Sequence, residues 1–118
     1  MNILKSVILL IILKFVSSCS QADQATNSNS DELIKFAKVN CLFWYFKKHN
    51  YDIKDIREIS GGIVEMGSYS AEKYQNLSLL VKKYKPKIQT KQNIDIDLYK
   101  CFILESDKEF INTIDNLK

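Results

Sequence analysis

The chain has 118 residues, 17 of them Lys or Arg and 14 Asp or Glu, with a single histidine. That length holds one domain at most. With charge this nearly balanced, nothing suggests a nucleic-acid binder, and one histidine excludes a multi-histidine metal site.

The N-terminus reads as an export signal, residues 1–18. Lys5 supplies the positive charge, and the apolar run from Ser6 to Leu13 is far shorter than the roughly 20 residues that a membrane-spanning helix needs. Val16-Ser17-Ser18-Cys19 has the pattern of a bacterial lipobox, in which Cys19 is acylated and becomes the new N-terminus. Val16-x-Ser18 also suits ordinary signal cleavage, and both routes export the chain. Ser20 in place of aspartate favours the outer membrane over retention at the inner one, and the predicted location is the periplasm, lipid-anchored to the outer membrane. Residues 19–29 are polar and read as a flexible tether, so the folded domain is expected over 30–118. Lys5 and Lys14 leave with the signal, which brings the formal net charge from +3 to +1.

Helical periodicity dominates the rest. Ser30 is placed to cap a first helix with Asp31 and Glu32 at its positive end. Ile34, Ala37, Cys41, Trp44 and Tyr45 fall on one stripe, widened by Leu33, Phe36, Phe43 and Phe46. So apolar a helix is expected at the centre, ending at Lys47-Lys48 before a turn at His49-Asn50. The aromatic run Phe43 to Phe46 reads as core and inter-subunit contact in preference to a ligand site. Asp52 should start a second helix with Ile53, Ile56, Ile59 and Ile63 inward. Its pair Gly61-Gly62 marks a kink or a close helix contact, and Gly67-Ser68 ends it. Ser70 caps a third helix with Tyr74, Leu77, Leu80, Val81 and Tyr84 inward.

Residues 85–93 lack apolar periodicity, carry three lysines and read as an exposed loop. A fourth helix should start between Ile94 and Asp97 and bury Leu98, Cys101, Phe102 and Leu104. Ser106-x-x-Glu109 matches a capping box opening a last helix with Phe110, Ile111, Ile114 and Leu117 inward. No strand pattern competes. The fold class is all-α, a small bundle of four to five helices. With Cys19 acylated, Cys41 and Cys101 remain as an even pair in an oxidising space and are predicted to form a disulfide. Closing about sixty residues, it would stabilise the domain by roughly 4 kcal/mol on chain entropy.

Catalytic residues are not apparent. Cys41 and His49, eight residues apart on one helix, stand about 12 Å from each other by helical rise, so His49 reads as a solvated helix-end residue. Gly61-Gly62 has neither the strand before it nor the lysine after it of a phosphate loop. The chain reads as a binding protein and not an enzyme, with no cofactor or metal.

Three blocks resemble a known family. They are Cys41-Leu42-Phe43-Trp44-Tyr45, then Ser60-Gly61-Gly62-Ile63-Val64-Glu65-Met66-Gly67, and, after a helix ending Lys82-Lys83-Tyr84, the segment Leu98-Tyr99-Lys100-Cys101 through Ser106-Asp107-Lys108-Glu109-Phe110. Their order is similar to the immunity proteins that neutralise type VI secretion amidase effectors, the group paired with the fourth amidase class. Leu104 stands where that family often has tyrosine. The resemblance spans about Val39 to Leu117. It implies a helical, homodimeric periplasmic inhibitor of a cysteine amidase that cuts peptidoglycan stems, with a protruding loop entering the enzyme cleft. Carried onto this chain, the partner-binding residues are Lys85, Lys87, Ile88, Gln89, Thr90, Lys91, Gln92 and Asn93. The residues alone also allow another exported module, such as an inhibitor of a different cell-wall hydrolase or an envelope-assembly lipoprotein.

Overall fold

A computed structural model describes residues 28–117. The predicted signal 1–18, the acylation site Cys19 and tether residues 20–27 lie outside the described residues. Within them there are five α-helices, one 3-10 turn and no strand: α1 (Ser28–Lys48), α2 (Lys54–Met66), α3 (Ala71–Lys83), α4 (Ile96–Ile103), the turn Leu104–Ser106, and α5 (Lys108–Asp115). Among the described residues no helix is long and apolar enough to cross a membrane.

Helix α1 is the hub: α2, α3, α4, the 3-10 turn and α5 all pack against it. A helix with apolar residues on every side can bury them only by being surrounded. Leu33, Phe36, Ala37 and Cys41 are buried there, together with Tyr74, Leu77 and Val81 of α3, Cys101 and Leu104, and Phe110 and Ile114 of α5. The start of α1 precedes the expected position. Ser28 and Asn29, read as the end of the tether, are already helical, so Ser30 lies inside the first turn and not at its cap. The other end is a Schellman motif. The Tyr51 amide donates to the Phe46 carbonyl at 2.9 Å, that of Asn50 to Lys47 at 3.3 Å, and Asn50 takes the left-handed φ of 55°. Tyr51 and Phe46 then pack ring to ring at 5.7 Å.

Four local expectations change. Gly61-Gly62 does not interrupt the second helix, which runs unbroken from Lys54 to Met66. A Cβ at either position would meet nothing within 4 Å. The glycine that a close approach requires is Gly67, where a Cβ would overlap the Tyr74 hydroxyl and the Glu32 carboxylate. Glu32 is the reason: its Oε1 accepts from the Ser68 amide at 2.7 Å and from the Tyr74 hydroxyl, fastening the α2–α3 corner onto α1. Second, Ile59 is 54% exposed, because α2 rests on the core through Ile63 and Val64 and Ile59 lies at the edge of that face.

Third, Phe102 points outward, 60% exposed. Its neighbour Cys101 is held inward by a disulfide to Cys41, Cα–Cα 5.4 Å. One residue along a helix is a 100° rotation, so an inward Cys101 turns Phe102 toward solvent. Fourth, Ser106 does not cap α5. It ends the 3-10 turn, its hydroxyl donating to the Ile103 carbonyl at 3.1 Å, and Asp107 takes the cap, accepting from the Phe110 amide at 3.1 Å. Ser70 caps α3 as expected, accepting from the Lys73 amide at 3.2 Å.

This packing sets three stability predictions. Gly61→Ala and Gly62→Ala should each raise the unfolding free energy by about 0.5–1 kcal/mol, since a helix-interior glycine with open space around it carries only the entropic cost. Gly67→Ala should lower it by about 1–3 kcal/mol through overpacking. Urea denaturation of the three variants checks both signs. Cys41→Ser/Cys101→Ser should lose about 4 kcal/mol, the loop-closure entropy of a 60-residue separation; a loss under 1 kcal/mol would mean that helix packing alone holds α4.

Candidate functional site

The eight residues predicted to bind a partner lie in the segment between α3 and α4, which has no regular structure. Lys85, Lys87, Gln89, Thr90, Lys91, Gln92 and Asn93 are exposed, and Ile88 is half-buried. Pro86 follows the end of α3 and prevents its continuation. Inside the loop, the Gln92 amide donates to Thr90 Oγ1 at 3.1 Å.

Both feet of the loop are fastened to the frame. At the first, the Lys100 ammonium donates to the carbonyls of Val81 at 3.0 Å and Tyr84 at 3.1 Å, supplying donors to the open end of α3. Burial there depresses the Lys100 pKa, and the charges of Lys48 and Lys85 add to the effect. The Tyr84 hydroxyl donates to Asp107 Oδ2 at 2.7 Å, so the carboxylate that caps α5 also holds the loop. At the second foot, Asp95 caps α4, accepting from the amides of Asp97 at 3.0 Å and Leu98 at 3.2 Å. Its other oxygen accepts from the Tyr45 hydroxyl at 2.8 Å. Lys48 pairs with Asp97 beside it. The Tyr45 bond holds the Asp95 carboxyl below its ordinary 3.8 and pushes the Tyr45 hydroxyl up to about 12.

Beneath the first foot opens a groove of about 450 Å³, lined by Cys41, Trp44, Tyr45, Lys47, Lys48, Lys82, Lys85, Asp97 and Lys100. Trp44 forms part of its floor. The indole N–H donates to the Ser78 carbonyl at 3.1 Å, and the ring carries two ammonium groups, Lys82 at 4.5 Å and Lys47 at 5.5 Å from its centroid. Only Lys85 of this groove was among the residues expected to bind. Lys47, Lys48, Lys82 and Lys100 escaped the sequence reading because lysines at helix ends are normally spent on the helix dipole. The usable signal was a lysine pair closing each of two helices that share a neighbour. On the other side of the loop, α4 exposes an apolar stripe, Ile96, Tyr99 and Phe102.

Cys41 is bonded to Cys101 and has no free thiol. His49 is exposed, its ring packed against Tyr45 and Tyr51 at 4.3 and 5.7 Å. No group of three or more potential metal ligands occurs among the described residues. Comparison of the chain with protein-family profiles, with curated proteins and with solved structures found no match.

The second foot has a pH signature. A folded-state pKa below the ordinary value means that the Asp95 contact is fully present above about pH 3.8 and is lost as pH falls through the depressed folded value. Tyr45→Phe should move the Asp95 pKa upward toward 3.8, read by carboxyl NMR titration, and should speed tryptic cleavage at Lys87 and Lys91 at neutral pH. An unmoved pKa would mean that the helix amides alone depress it.

Proposed function

We propose that this chain is an exported immunity protein that binds a type VI secreted peptidoglycan amidase and occludes its active site, protecting the wall of the cell that makes it. The observation that carries the reading is the loop 85–93. It is an exposed, lysine-bearing segment whose feet are tied to the helical frame by Lys100, Tyr84 and Tyr45. A loop presented on a rigid base loses less conformational entropy on binding than a free one, so more of its contact energy appears as affinity. Its charge suits a cleft shaped for an anionic peptide stem. Occlusion requires shape and charge but no catalytic group.

The order of the cysteine, glycine and Ser-x-x-Glu blocks supports the same reading, as does the export signal. In this reading Cys19 anchors the antidote at the outer membrane, facing the space that the toxin enters. The protein acts as a homodimer, with the apolar stripe of α4 available to a second chain or to the effector.

The test is co-expression with an amidase of the fourth type VI class directed to the periplasm. Rescue from lysis and co-purification of the two proteins are expected for the cognate pair; lysis despite folded, exported protein, across the amidases encoded beside the gene, would remove the reading. The variant Lys87→Ala/Gln89→Ala/Lys91→Ala should lose inhibition by on the order of 100-fold, as for truncated interface anchors, with an unchanged thermal midpoint. Full inhibition by that variant would exclude the loop as the inserted element.

A further inference from the structure

Five lysines line the groove under the loop, against a single aspartate. Lys48 is paired with Asp97, Lys100 is turned onto the carbonyls of α3, and Lys47 and Lys82 rest against the Trp44 ring, a contact that leaves their charge uncompensated. Among the described residues Lys47, Lys82 and Lys85 have no carboxylate in ion-pair contact. They stand at the C-terminal ends of α1 and α3 and at the start of the loop, so three different segments converge their cations on one concavity. Such focusing attracts an anion more strongly than the same charges spread over a surface.

The floor narrows the class of ligand. The half-buried Trp44 ring supplies apolar surface, flanked by Lys82 and Lys47. A small hydrated anion such as phosphate gains nothing from that surface. A peptide with carboxylates spaced along it and an apolar side chain between them uses both features. The helix ends at this site are carbonyl ends, which repel anions, so recognition falls to the three separated ammonium groups and favours separated carboxylates over one compact dianion.

We infer that the groove between α1, α3 and the foot of the loop binds an acidic peptide segment of a partner protein, with an apolar residue seated on Trp44 and carboxylates meeting Lys47, Lys82 and Lys85. The ligand chemistry is read from the groove itself; identifying that segment with a rim of the effector rests on the proposed function. Under that identification the protein grips the enzyme twice, once by the loop and once by a site that sets which enzyme is held.

The chain has one tryptophan, so its emission reports this groove without a label. The experiment is a fluorescence titration of the mature chain with blocked Glu-Glu-Leu-Glu peptide, the matching Gln-Gln-Leu-Gln peptide, and inorganic phosphate. A saturable change with the glutamate peptide alone is expected. Its midpoint should weaken on the order of tenfold or more in Lys82→Glu/Lys85→Glu, as for close charge pairs. The milder Lys82→Gln/Lys85→Gln keeps the result readable should charge reversal disturb folding. No saturable change, an equal response to phosphate, or an undiminished midpoint in both variants overturns the inference. No effector enters this titration, so its failure leaves rescue from lysis untouched, and failed rescue beside a positive titration removes the immunity reading alone.

Discussion

The Cys41–Cys101 disulfide is the constraint on which the functional end of this molecule depends. It joins the central helix to α4, and α4 begins where the loop 85–93 ends. Because the half-cystine at 101 must face α1, the rotation of α4 about its own axis is set. Every other side chain on that helix then has a determined direction: Leu98 toward the frame, Lys100 toward the end of α3, Tyr99 and Phe102 toward solvent. Apolar burial could not specify this rotation, since α4 is eight residues long and apolar around most of its circumference. In a domain this small a covalent tie substitutes for the core area that a larger protein would use.

The polar contacts serve the same end. The hydroxyls of Tyr84 and Tyr45 each donate to a carboxylate that is also a helix cap, Asp107 and Asp95 respectively. One side chain thus terminates a helix and holds a foot of the loop. Both contacts unite elements distant in sequence, so the loop is positioned by α1, α4 and α5 together and not by its own residues. Within 85–93 the only side-chain hydrogen bond is the local one at Thr90. A loop held at its base and exposed along most of its length suits the proposed role in binding.

The charge distribution gives this end a chemical character that the whole-chain balance conceals. The lysines closing α1 and α3 neutralise the helix dipoles, yet the bundle brings those two ends together beside Lys85 and Lys100. Groups that are individually ordinary helix caps thereby become a cationic concavity around Trp44. The proposed inhibitory function and the inferred acidic-peptide site both draw on this end of the molecule. The opposite end, where Glu32 gathers Ser68 and Tyr74, is given to stability.

Periodicity and local residue preference determined an all-α bundle of four to five helices, the central place of the first, the cap at Ser70 and the irregular segment 85–93. Each of these depends on local spacing, on the strong preferences of Pro, Ser and Asn, or on whether a helix is apolar all round. Pairing Cys41 with Cys101 followed from the cysteine count together with the expectation that Cys19 is acylated. Tertiary structure decided what local spacing leaves degenerate. Gly61, Gly62 and Gly67 look alike in a motif, but only Gly67 meets another element, because Glu32, far away in sequence, arrives there. Ile59 and Phe102 each fit an inward stripe, and the packing line of α2 and the disulfide turned them out. Ser106 and Asp107 could each cap α5, and the 3-10 turn selected the aspartate. The lysine groove lay beyond reach for the same reason: its five cations come from four separate segments, and only the closing of the bundle makes them neighbours.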